Sequence, residues 1–114
     1  MSEAWRLRFE EALERARMPG SPMPGWTEQL RDGSMMLGLY APRGHDPQQP
    51  HDQDELYVVM RGSGTFVRGD ERVPFAPGDV LFVPAAMPHR FEEFTDDFAA
   101  WVIFSGPPRG EAAG

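Results

Sequence analysis

An all-β domain of about eight or nine short antiparallel strands, preceded by one helix, is what this sequence predicts. Two observations carry that reading. Twelve glycines and twelve prolines fall singly between short apolar stretches of the 114-residue chain, the punctuation of strands joined by tight turns. Those stretches recur roughly every ten residues and alternate apolar with polar side chains, which calls for a sandwich or small barrel.

The helix comes first. Ser2 is placed to cap it, and Trp5, Phe9, Ala12, Leu13 and Ala16 form one stripe running to about Arg17, with Glu10, Glu14 and Arg15 elsewhere. Met18-Pro19-Gly20 ends it, and the stretch from Gly20 to Gly25 reads as an extended connector. Trp26 to Leu30 and Ser34 to Tyr40 then make a hairpin about Asp32-Gly33. After a polar loop from Ala41 to Pro50, His51 to Met60 is the next strand. Thr65 to Arg68 pairs through Gly69-Asp70 with Glu71 to Phe75, and Pro77-Gly78-Asp79 leads into Val80 to Val83. His89 to Phe94 and Phe98 to Phe104 complete the set. The chain thus divides into an N-terminal helix over residues 1–19, one barrel domain over 20–106 and a frayed tail over 107–114. The helix stripe would cover the outer sheet or reach across a dimer, and the pattern admits both.

Composition excludes several functions. A chain of this length builds one core and leaves no room for a second catalytic domain. With 11 basic residues against 18 acidic and a net charge of -7, it lacks a general phosphate-binding surface, so nucleic acid and anionic membranes are not expected partners. There is no cysteine, hence no disulfide, no thiolate ligand and no catalytic thiol, which fits a cytoplasmic location. Charges run through Glu3 to Arg17 where a signal peptide would be apolar. Val80 to Met87, the longest stretch without polar side chains, is far short of the roughly 20 residues that span a bilayer.

The chemistry lies between the first barrel loop and the seventh strand. In an extended strand alternate residues share a face, so Gln49, His51, Gln53, Glu55, Tyr57 and Val59 point one way. On the later strand His89, Phe91 and Glu93 likewise share a face. If both faces line the barrel interior, two imidazoles, one carboxylate and one amide converge. Two histidines and a carboxylate on one face is the donor set of non-haem Fe(II) sites and also suits Zn, Mn or Ni. Spacing alone is a weak signal that also admits a solvated loop histidine at 51 and a capped turn histidine at 89.

The segment Gln49 to Gly62, with His51, Glu55 and a closing glycine, resembles the first motif of the cupin superfamily, which has two histidines one residue apart, a glutamate and a later glycine. The segment Gly78 to Glu93, with Gly78, Pro84 and His89, is similar to the second. The resemblance implies an antiparallel jelly-roll barrel, commonly a homodimer, that holds one divalent metal ion through His51, Glu55 and His89. Four departures stand out. Gln49 occupies the place of the first histidine, Ala86 that of a usual glycine, and Glu93 that of a usual asparagine. The glycine ahead of the first motif lies one residue nearer, at Gly44. Gln49 could coordinate through its amide oxygen, leave the position to water or turn away, and His45 competes with it. Glu93 could orient a ligand, act as acid or base, or form a surface ion pair. Tyr57 could donate a hydrogen bond to a bound molecule or pack in the core. Arg43, Arg61 and Arg68 could recognise an anion but more simply solvate the surface. Met23, Met35, Met36, Met60 and Met87 show no metal spacing and read as core or pocket lining.

Two functions follow from this set. The first is a metalloenzyme of dioxygenase or isomerase/lyase type acting on a small organic substrate. The second is a non-catalytic module that binds or senses a small ligand, since the fold hosts both. A metal-free barrel is a third possibility, but it would leave inward-facing charge uncompensated. Metal bound by these imidazoles should be lost below about pH 6.

Overall fold

Two antiparallel sheets face one another in the computed structural model, which describes residues 5–20 and 23–108. The five-stranded sheet has the order β1-β2-β8-β3-β6 and the three-stranded sheet the order β5-β4-β7. These strands are β1 (Trp26–Asp32), β2 (Met35–Tyr40), β3 (Asp54–Arg61), β4 (Gly64–Arg68), β5 (Glu71–Phe75), β6 (Val80–Val83), β7 (His89–Glu92) and β8 (Ala99–Ser105), after a helix α1 (Phe9–Ala16). Every strand expected from the spacing of turns is therefore present.

Local physics sets the turns. Gly33 (φ 59) and Gly69 (φ 60) supply the left-handed backbone that close the β1–β2 and β4–β5 hairpins. Gly38 has another role. A Cβ built there would lie 2.1 Å from the Trp26 indole, so the missing side chain lets that ring lie flat on β2.

Between the sheets the core is aromatic. Phe91 stacks with Phe98, Phe66 and Phe75 at centroid distances of 4.5, 4.8 and 5.2 Å, and all four rings are essentially buried. Offset and edge-on contacts of this kind add to the area they bury. On the opposite, outer face of the five-stranded sheet, Ala12, Leu13 and Ala16 of α1 cover Leu39, Ala41 and Ala99. The stripe thus covers the barrel's own sheet.

The helix is shorter than its pattern suggests. It starts after Arg8, which caps it in extended conformation without a side-chain bond, while Trp5 is 87 % exposed and outside the packed stripe. The expected Ser2 cap and the end of the tail lie outside the described residues. Among the described residues no helix is long and apolar enough to cross a membrane.

Candidate metal centre

Three donors come together at one end of the barrel. Glu55 enters from β3, where Glu55, Tyr57 and Val59 occupy the buried face in the alternation that a pleated strand imposes. His89 opens β7 on the facing sheet. His51 comes from the turn ahead of β3, which is held because its carbonyl accepts a 2.7 Å bond from the Ala86 amide, and because Asp54 accepts a 3.0 Å bond from the Ala85 amide. One ligand atom from each of the three lies within 4.8 Å of the others.

The two imidazoles differ. His89 Nδ1 sits 2.9 Å from the Met87 carbonyl, which can only accept, so Nδ1 carries the proton and Nε2 is the nitrogen offered to the cluster. That Nε2 lies 3.2 Å from Glu55 Oε1 and 3.0 Å from the Tyr57 hydroxyl. Burial works to lower the His89 pKa, but Glu55 beside it, with the Met87 carbonyl and Asp46, outweighs burial and holds it above the ordinary value. Burial prevails at His51 and holds it below. Burial and the nearby Glu55 push the Tyr57 phenol well up, so it remains a proton donor.

Glu55 is the exceptional member. It is 2 % exposed, and neither carboxylate oxygen has an aligned hydrogen-bond partner. The 3.2 Å approach to His89 brings charge close without the alignment of a hydrogen bond. A buried carboxylate in that condition costs several kcal/mol unless a cation meets it. Two imidazoles and a buried carboxylate whose ligand atoms lie within 4.8 Å of one another are a donor set that suits a divalent ion, so the residues fit a metal.

Gln49 is not part of this group. It is exposed, because Pro50 and the turn before β3 break the strand alternation that would have aimed it inward. The amide at the cluster belongs to Gln48. Its Nε2 donates to Asp46 at 2.7 Å, which turns Oε1 toward the Tyr57 hydroxyl at 3.0 Å and His51 Nε2 at 3.2 Å. Asp46 is buried and also accepts from the Tyr40 hydroxyl and from the backbone amides of Phe91 (2.9 Å) and Gln48 (3.2 Å). It thereby fastens the loop to the edge strand β7, whose amide would otherwise lack a partner. Neither Asp46 nor Gln48 shows a periodic signal in the sequence. The only cue is that Asp46-Pro47 favours a turn.

Glu93 also departs from expectation. The strand ends at Glu92, and Glu93 is exposed with φ 54, so its side chain leaves the His89 face. Ala86 has φ 71. Both departures from the motif thus fall on left-handed backbone, where the usual glycine and asparagine are the residues that tolerate it. Ala86→Gly is accordingly expected to raise unfolding stability by up to about 1 kcal/mol, the left-handed penalty less the added unfolded-state entropy, as read by urea denaturation.

Other sequence candidates lie elsewhere. His45 and Arg43 are exposed on the outer side of the loop, Arg61 pairs with Glu10, and Arg68 bonds the Phe82 carbonyl. Beside the cluster, Met23, Trp26, Met36, Val102 and Phe104 complete a cavity of about 190 Å³.

A family model described as Cupin domain matches residues 36–105, which include every member of the cluster. The chain belongs to the cupin family. An uncharacterized protein of Streptomyces coelicolor is 38 % identical over 107 residues, covering 92 % of this chain and 97 % of its own. A cupin-2 domain protein of Shewanella frigidimarina superposes with a TM-score of 0.64 at 17 % identity, over 90 % of this chain and 94 % of that one. A DMSP lyase structure matches this cupin with a TM-score of 0.61 at 24 % identity, over 75 % of this chain and 49 % of that one. At those identities the two structures establish the fold alone.

Proposed function

We propose that this cupin binds one divalent metal ion through His51, Glu55 and His89 and acts as a metalloenzyme on a small organic substrate. The observation that carries the proposal is the buried Glu55 carboxylate beside two imidazoles, with no aligned hydrogen-bond partner among the described residues. A bound ion would supply Lewis-acid chemistry, or oxygen chemistry if it is Fe(II). His89 would present Nε2, with its tautomer held by Met87. Gln48, held by Asp46, would steady His51, and Tyr57 would keep its hydroxyl at the edge of the cavity as a donor. The donor set suits lyase or isomerase chemistry as well as dioxygenation.

Oxygen uptake by the Fe(II) form and turnover by the Zn, Mn and Ni forms, over a panel of small alcohols, ketones and phenols, test the activity. Metal retention with tight ligand binding and no turnover would favour a sensing module instead.

Proton competition gives the expected pH dependence. His89 must be neutral at Nε2 to bind metal, and its pKa is raised, so metal affinity starts to fall above pH 6.5, earlier than an ordinary histidine would dictate. Below the His89 pKa the apparent affinity should drop about tenfold per pH unit, and more steeply once His51, whose pKa is lowered, also protonates. Zinc titration calorimetry from pH 8 to pH 5 reads this, and a flat profile would remove the histidines from the ligand set.

We also propose that two copies meet on the outer face of the five-stranded sheet. Cross-strand partners Leu30, Leu37, Ile103, Leu56 and Phe82 form one apolar row from edge to edge, half-buried at Leu30, Leu37 and Ile103 beside Trp5 and Leu7 and exposed at Leu56 (36 %) and Phe82 (47 %). Rows this large mark an interface. Ile103→Glu is expected to convert a dimer to a monomer in sedimentation velocity, and a monomeric parent protein would refute the interface.

A further inference from the structure

The 190 Å³ cavity beside the cluster also limits what can bind there. It is smaller than the roughly 300–1,000 Å³ of pockets for drug-sized ligands, and all 11 basic residues of the chain are arginines, none of which, among the described residues, lines it. Its apolar wall is Met23, Trp26, Met36, Val102 and Phe104, and Tyr40, Gln48 and Tyr57 line it beside His51 and Glu55. Trp26 reaches it because the indole lies on Gly38, and an edge-on contact with Phe104 at 6.1 Å fixes the ring. Phe104 in turn packs edge-on to His51 at 4.8 Å. The apolar wall therefore continues up to the donors.

Charge decides the ligand class. Two buried carboxylates, Glu55 and Asp46, stand at the site, and together they balance one divalent ion. A neutral ligand leaves the loaded site neutral. With the ion already balanced, an anionic ligand adds a charge to a largely apolar cavity in which no cationic side chain of the described residues meets it, and such an unpaired charge is disfavoured. We infer that the cavity takes a small uncharged molecule with an apolar body and a single neutral oxygen donor, and discriminates against carboxylates and phosphates of the same size. The inference rests on the metal reading of the preceding section and names the substrate class for that site.

The test uses the full chain, first loaded with zinc and assayed for metal content. Failure to retain zinc counts against the metal site, whereas the results that follow bear on ligand class. Cyclohexanemethanol and cyclohexanecarboxylate, matched in body, are titrated against Trp26 fluorescence, with Trp26→Phe as the signal control. The alcohol is expected to bind about tenfold or more tightly than the carboxylate. Met36→Arg places a cation at the cavity wall and is expected to invert that preference while zinc stays bound. Equal or tighter binding of the carboxylate by the zinc-loaded parent protein, or no binding of the alcohol, would overturn the inference.

Discussion

Glu55→Gln is expected to stabilise the metal-free protein by about 2 kcal/mol while abolishing its metal binding. The carboxylate is fully buried and its oxygens lack aligned donors. Replacing a poorly compensated buried charge by a neutral amide of the same shape recovers part of the desolvation cost of several kcal/mol per ion, less the smaller cost of the amide's own unmet hydrogen bonds. His89 sets the pH window. Its folded pKa lies above its unfolded value near 6.5, so the stability it contributes by pairing with Glu55 is full below the unfolded value and lost as pH rises through the folded one. The gain from Glu55→Gln is therefore largest at pH 8 and shrinks toward pH 6. Zinc reverses the order, because saturating ligand stabilises only the form that binds it. Thermal unfolding of both proteins at pH 8, with and without zinc, should give crossed midpoints. Destabilisation by the substitution in the absence of metal would mean that the carboxylate has a structural partner after all.

Asp46→Ala should be the most damaging single change near the site. Four donors converge on this buried carboxylate: the Tyr40 hydroxyl, the Phe91 amide, and the backbone and side-chain amides of Gln48. Truncation leaves them facing an apolar gap, at about 1–3 kcal/mol for each buried group that water cannot reach. A loss of about 3–5 kcal/mol in urea unfolding follows. Gln48 also loses the partner that orients its amide, so metal affinity should weaken by about 10–100-fold, as when groups behind a ligand are removed. Asp46→Asn should restore only part of both effects, because its NH2 group is a donor set against donors. An unfolding free energy within 1 kcal/mol of the parent would show that the loop does not depend on this residue.

How far the site was legible followed the regularity of the backbone. Glu55, Tyr57 and Val59 could be read from parity because β3 alternates without interruption from Asp54, and His89 because it opens β7 on the same inner face as Phe91. Strand parity fails at both ends of this segment. Before β3, Pro50 and the turn at residues 51–53 reset the direction of each side chain, so the inward amide is Gln48 and not Gln49. After β7 the left-handed Glu93 turns the chain out of the strand. Asp46 carries no such mark, because its partners come from β2, β7 and its own loop, and a sequence pattern does not report contacts between segments. The fold was more accessible, since each hairpin carries its own glycine or proline signal and all eight strands follow from those marks.

Elemental analysis of the tag-free protein after reconstitution at pH 8, alongside His89→Ala, tests the central claim most directly. One divalent ion per chain in the parent protein and a loss of affinity greater than about 100-fold in the variant are the expected results. A parent protein that takes up no metal, or a variant that retains it in full, would contradict the assignment of His51, Glu55 and His89 as a metal centre.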